Sequence, residues 1–130
     1  MAVGTSQTLN NSWLNTIKST GTSYNVSGNI YVQLHTANPG TVGTTSVSSV
    51  TTRPAITFTT ATTGVLNSSS SPSWSSWAGT NGEVVTHVSF WDASSAGNFL
   101  WSAALSSSKT INTGDTFTLS SCSLTITNAS

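Results

Sequence analysis

Asn29-Ile30-Tyr31-Val32-Gln33-Leu34-His35-Thr36-Ala37-Asn38-Pro39-Gly40 decides the fold class of this chain. Ile30, Val32 and Leu34 alternate with Tyr31, Gln33 and His35, the period-2 pattern of a half-buried strand. Asn38-Pro39-Gly40 then stops it, because Pro presets φ and lacks a donor while Gly accepts φ > 0.

Further strands follow the same logic. Ala55 to Thr60 turns Ile56 and Phe58 inward. Val84 to Trp91 carries apolar groups on both faces, the mark of a central strand covered on both sides. Asp92 to Gly97 reads as a turn. Asn98 to Leu105 returns with Phe99, Trp101, Ala103 and Leu105 on one face. Asn112-Thr113-Gly114-Asp115 turns the chain again. Thr116 to Leu119 and Ser123 to Thr127 then complete the sheet through Phe117, Leu119, Leu124 and Ile126. Thr41 to Thr52 is a polar loop, and the Ser-rich stretch Asn67 to Ser73 reads as an exposed one.

Ser6 to Thr20 is the one good helix candidate. Leu9, Trp13 and Ile17 recur every four residues, and Leu14 widens the stripe. Thr5 or Ser6 is placed as N-cap and Gly21 as the residue just past the end. Such a helix covers the open end of a sheet or docks on a neighbouring subunit. The expected architecture is all-β: an antiparallel β-sandwich, jelly-roll-like, with one short N-terminal helix. Residues 1–28 form an N-terminal arm and residues 29–130 the sandwich domain.

Length and composition agree. A chain of 130 residues buries roughly two-thirds of its unfolded surface and needs no disulfide or metal. Cys122 is the sole cysteine, best read as a buried inert thiol. Lys18, Arg53 and Lys109 balance Glu83, Asp92 and Asp115, so the net charge is zero. That balance offers no footprint for nucleic acid or an anionic membrane, and near-zero charge favours association. Ser and Thr supply 50 of the 130 residues. The five Trp and four Phe among regularly spaced aliphatics argue against disorder. No apolar run has the length of a membrane span, and the N-terminus shows no basic-then-apolar leader pattern.

Candidate chemistry is sparse. Glu83, Asp92 and Asp115 each sit at a turn, where a carboxylate serves the backbone. His35 and His87 lie in strands without a third ligand at metal-binding spacing. No nucleophile elbow, P-loop or dinucleotide fingerprint appears. No catalytic residue, cofactor or metal is therefore expected. Trp74 and Trp77 follow the Ser-rich loop. They are candidates for sugar stacking, although core or subunit-interface placement is the commoner use of Trp. Trp13 on the helix is a candidate contact. Arg53 is a candidate anchor, bonding loop carbonyls or a partner carboxylate.

Three segments together resemble a family of small tailed-phage virion proteins, common among actinobacterial phages and labelled minor tail, tail-fibre-like or head-decoration proteins. They are Tyr31 to Gly40 with Arg53 and Ala55-Ile56-Thr57-Phe58, then Val85 to Ala93 continuing through Gly97-Asn98-Phe99-Leu100-Trp101, then Lys109 to Phe117 leading to Leu124-Thr125-Ile126. In this chain Thr45 and Ser46 stand where the family often has an acidic residue, and Pro54 where it has a polar one. The resemblance implies a non-enzymatic structural subunit. A capsid decoration (cement) protein on the head exterior is the leading expectation, with the major capsid protein as partner. A minor tail or fibre-like subunit, bound to other virion subunits, is the second. A carbohydrate-binding module in host adsorption is the third. Each implies a protein made in the host cytoplasm and carried on the virion as a homo-oligomer. A trimer suits a capsid three-fold and a fibre alike.

Overall fold

The computed structural model describes residues 3–18, 24–26 and 28–126. It is mostly β, with antiparallel sheets and one short N-terminal helix in a sandwich-like arrangement. The elements in order are α1 (Gln7–Ile17), β1 (Ile30–His35), β2 (Ala55–Ile56), β3 (Val65–Asn67), β4 (Ser73–Trp74), β5 (Glu83–Trp91), β6 (Phe99–Ile111), β7 (Phe117–Thr118) and β8 (Ser123–Thr125). The main sheet has the order β2-β1-β5-β6, while β3 pairs with β8 and β4 with β7 in two small ribbons.

Register explains the core. Val32 faces Phe90, which faces Trp101, and Leu34 faces Val88, which faces Ala103. Paired residues share a face, so these side chains make one apolar surface. The ribbons contribute Trp74, Phe117 and Leu124 to the same hydrophobic cluster, and Trp77 and Leu119 join them. Phe90 and Trp101 stack at 4.3 Å between ring centroids. Phe58 meets both edge-on, at 6.4 and 5.7 Å.

Several expectations are corrected. β1 is not half-buried: Gln33 and His35, on its polar face, are as buried as Val32 and Leu34. β5 is central, as its two apolar faces implied. Phe99 and Trp101 do not share a face. A register irregularity at Phe90/Trp91 pairs Phe99 with Trp91 and Trp101 with Phe90. Adjacent residues of β5 point to opposite sides, so the i, i+2 pair on β6 is split. A second irregularity sets Val85 opposite Lys109 and His87 opposite Ala104. The Ser-rich stretch is not a bare loop. Asn67 and Ser73 belong to strands, and Ser68 and Ser69 donate backbone N–H to Cys122 and Thr57 carbonyls at 2.9 and 2.8 Å. The final strands form ribbons rather than completing the main sheet, and Ile126 is exposed.

α1 begins where the sequence places it. Ser6 is the N-cap, accepting the Leu9 N–H at 3.2 Å. Leu9 is buried and Trp13 packs on the core, but Leu14 and Ile17 are 62% and 80% exposed. The apolar stripe therefore has a buried first half and a bare second half. Thr20, Gly21 and Thr127 lie outside the described residues. Just before the helix, the Ser6 N–H reaches the Leu100 carbonyl at 2.7 Å and Ser102 N–H reaches Gly4 at 2.8 Å. Residues 4–6 thus run along the outer edge of β6.

Truncating Phe90 tests this core. Phe90→Ala removes a fully buried ring that stacks on Trp101, and is expected to cost about 3–5 kcal/mol. Leu14→Ala on the exposed helix face should stay within about 0.5 kcal/mol. Chemical denaturation of both variants checks the contrast, and equal losses would contradict this core.

Candidate functional site

The second face of the main sheet carries a buried polar layer. Gln33, His35, Ser89, Trp91 and Ser102 lie there, none more than 5% exposed. A buried polar group is tolerated only when its hydrogen bonds are made. Here they run as a directed chain. Trp91 Nε1–H donates to Ser89 Oγ at 2.7 Å. Ser89 Oγ lies 2.7 Å from His35 Nε2, and His35 Nδ1 lies 2.8 Å from the Thr45 carbonyl. A carbonyl only accepts, so Nδ1 carries the proton and Nε2 accepts from Ser89. Burial holds the His35 pKa below its ordinary value, against the Thr45 hydrogen bond, which raises it; nearby His87 and Arg53 also lower it.

This arrangement has the connectivity of a nucleophile, its base and an orienting acceptor. It lacks access, since Ser89 and His35 have no exposed surface. Both hydrogen-bonding roles of the serine are also occupied, one by Trp91 and one by His35. The group ties β5 and β1 to the loop that follows Pro39-Gly40. His87 does not join it; its Nδ1 sits 2.7 Å from Thr86 Oγ1. Among the described residues no three His, Cys, Asp or Glu side chains gather to hold a metal.

Arg53 extends the layer. Its Nε donates to Gln33 Oε1 at 2.9 Å, and Nη1 donates to the Ala96 carbonyl at 2.8 Å and that of Ala93 at 3.4 Å. Its Cζ sits 4.0 Å from the Trp91 ring centroid, a cation–π distance. Burial lowers its pKa, but a guanidinium stays charged. Arg53 thus anchors the 93–97 turn within its own chain.

The carboxylates serve turns. Asp92 accepts the Asn98 backbone N–H at 2.6 Å, the Asn98 amide at 2.7 Å and the Tyr24 hydroxyl. Burial opposes ionisation of Asp92, but the hydrogen bonds from Tyr24 and Asn98 outweigh it and lower its pKa. Burial and the Asp92 bond raise that of Tyr24. Glu83 accepts from Ser48 Oγ and from Ser49 N–H at 3.1 Å. Asp115 accepts the Asn112 N–H at 2.9 Å. Burial raises the pKa of the half-buried Cys122 thiol, so it stays protonated and unreactive at neutral pH.

The four candidate contact residues do not converge. Trp13 packs on the core from the helix, and Arg53 lies on the polar face. Trp74 and Trp77 come together around a cavity of 280 Å³. They are 5% and 2% exposed, and their indole N–H groups donate to the Thr52 and Thr80 carbonyls at 2.9 and 3.1 Å. Neither offers an open ring face from this chain alone.

A larger cleft, of 710 Å³, opens elsewhere. Its walls are the 3–10 segment and the 40–44 loop, and its floor includes Trp91, Phe99 and Ser102. The 40–44 loop is pressed onto that floor: a Cβ at Gly43, whose φ is +73°, would lie 2.5 Å from Phe99. Sequence alone does not show this cleft, because its walls are separated by long stretches of chain. Its one sequence signal is the Pro39-Gly40 turn that launches the loop.

A family model described as Podophage GP4 fiber I protein gp80 matches residues 4–127. A search of curated proteins found no match.

The His35 chain has a consequence in acid. An unfolded chain protonates His35 near its ordinary pKa of about 6.5, and the folded chain only at lower pH. Above about pH 6.5 the full contribution to stability is present. As pH falls through that value the unfolded state binds the proton first, and stability is lost until folded His35 also protonates. Unfolding free energy measured against pH should show that loss, and His35→Gln should flatten it. An unaltered profile in His35→Gln would refute the assignment.

Proposed function

We propose a structural role in a phage fibre, from the premise that this chain belongs to the Podophage GP4 fiber I protein gp80 family. The match spans nearly the whole chain, so the family's virion role applies to the β domain itself and not to a short motif. Its description names a fibre. That supports a fibre subunit over the capsid decoration expected from sequence.

The physical character of the molecule supports the same role. Glu83, Asp92, Asp115 and Arg53 are engaged within the chain, and the net charge is zero. Neutral subunits pack closely without mutual repulsion. Leu14, Ile17 and Val42, each at least 62% exposed, are apolar contact points for neighbouring virion subunits. The helix end that carries Leu14 and Ile17 is the part of the 1–28 arm proposed to reach a neighbour. The mechanism is mechanical: a rigid β module held by its neighbours, with no reaction to perform.

Placing this chain in a cryo-EM map of the intact particle tests the reading. Density within a fibre is the expected result. Density spread over the capsid lattice, with several hundred copies by quantitative mass spectrometry, would overturn it in favour of decoration.

A further inference from the structure

We infer that Asn81 is a site of spontaneous deamidation, and that the folded corner around it keeps its side-chain amide intact. The inference goes beyond the fibre role and concerns the isolated chain. Asn81-Gly82 is the one Asn–Gly pair in the sequence, and both residues are exposed. Glycine has no Cβ, so the Gly82 nitrogen is the least hindered backbone nucleophile that can follow an asparagine. In the reaction this nitrogen bonds to the Asn81 Cγ, and the Cγ–Nδ2 bond breaks. Ammonia leaves with the proton lost by Gly82, and a five-membered imide remains. Water then opens the ring at either carbonyl. One opening leaves an aspartate at this position. The other leaves an isoaspartate, whose main chain runs through the former side chain.

Attack requires the Asn81 side chain to swing over the Gly82 nitrogen, and the fold opposes this at both groups. Asn81 Oδ1 accepts the Thr113 N–H at 3.0 Å, which holds the amide to the 112–115 turn. The Gly82 N–H donates to the Ile111 carbonyl at 2.9 Å, which directs the nucleophile at the end of β6. The Glu83 N–H closes the turn on the Thr80 carbonyl at 3.2 Å, with Gly82 at φ +76°. Positive φ at the third residue of a turn is the type II signature, and glycine supplies it without strain.

The two turns are locked together from the core. The buried Trp77 donates its backbone N–H to the Asp115 carbonyl and accepts the Gly114 N–H, each at 2.9 Å. Its indole N–H reaches the Thr80 carbonyl at 3.1 Å. One tryptophan thus grips the turn that carries Asn81 and the turn that restrains it. Ring closure therefore waits on local opening of this corner. The isoaspartate product lengthens the main chain by one atom, which no longer matches the Glu83–Thr80 and Gly82–Ile111 hydrogen bonds. Each opening that leads to reaction leaves a permanent mark.

The test holds the full chain in warm, mildly alkaline buffer, folded and in concentrated guanidinium chloride. Peptide mapping by mass spectrometry follows each asparagine. Thr113→Pro removes the N–H that restrains Asn81. Thr113 is the second residue of a turn in which the Asp115 N–H meets the Asn112 carbonyl at 3.0 Å and Gly114 has φ +89°, a place where Pro is favoured. In the unfolded chain Asn81 should react faster than any other asparagine. In the folded chain it should react about tenfold or more slowly. Folded Thr113→Pro should lose the amide about threefold faster than folded wild type, the effect of one hydrogen bond. Equal rates in folded and unfolded wild type, a faster asparagine elsewhere in the unfolded chain, or an unchanged rate in folded Thr113→Pro would each overturn the inference. The wild-type comparison decides the matter by itself if the variant does not fold.

Discussion

The hydrogen-bond chain from Trp91 through Ser89 and His35 to the Thr45 carbonyl is the constraint on which the rest depends. It lies on the sheet face that sequence alternation marks as polar. Strands β1 and β5 meet there in register, and the chain pins the long loop after Pro39-Gly40 to both. Breaking one member leaves buried polar groups unpaired, which costs about 1–3 kcal/mol for each. That loss would release the loop wall and the turn below it. Buried networks of this kind fix one arrangement because partial satisfaction is worse than none.

The few charges of this chain work in the same way. Asp92 closes the 92–98 turn, Asp115 the 112–115 turn, and Glu83 ties the 48–49 segment to the start of β5. Arg53 clamps the 93–97 carbonyls while covering Trp91. Ionic groups that in many proteins keep surfaces apart here hold loops in place. What remains outside is rich in hydroxyls, with scattered apolar residues and the exposed Lys18 and Lys109.

Much of the fold was legible because it rests on local patterns. Alternation marked β1, apolar groups on both faces marked β5, Asn38-Pro39-Gly40 and Asn112-Thr113-Gly114-Asp115 marked turns, and Thr5 or Ser6 marked the helix start. The misses came where backbone pairing overrode side-chain pattern. Ser68 and Ser69 lend backbone N–H groups to Cys122 and Thr57, so the strand residues Asn67 of β3 and Ser73 of β4 were hidden in an apparent loop. The irregularity opposite Trp91 divided Phe99 from Trp101, which no spacing rule foresees. The site was less legible than the fold. Trp74 and Trp77 stood out beside a polar loop, yet both are core residues with their indole N–H groups satisfied. The cleft depends on Gly43 seating a loop on Phe99, a contact made only once the sheet has formed.

The most direct test of this account is the protonation state of the His35 ring nitrogens, read by long-range nitrogen–proton NMR near neutral pH. The account predicts a neutral ring with the proton on Nδ1, slow to exchange, and an unprotonated Nε2 accepting from Ser89. A charged imidazolium, a proton on Nε2, or rapid exchange with water would contradict it.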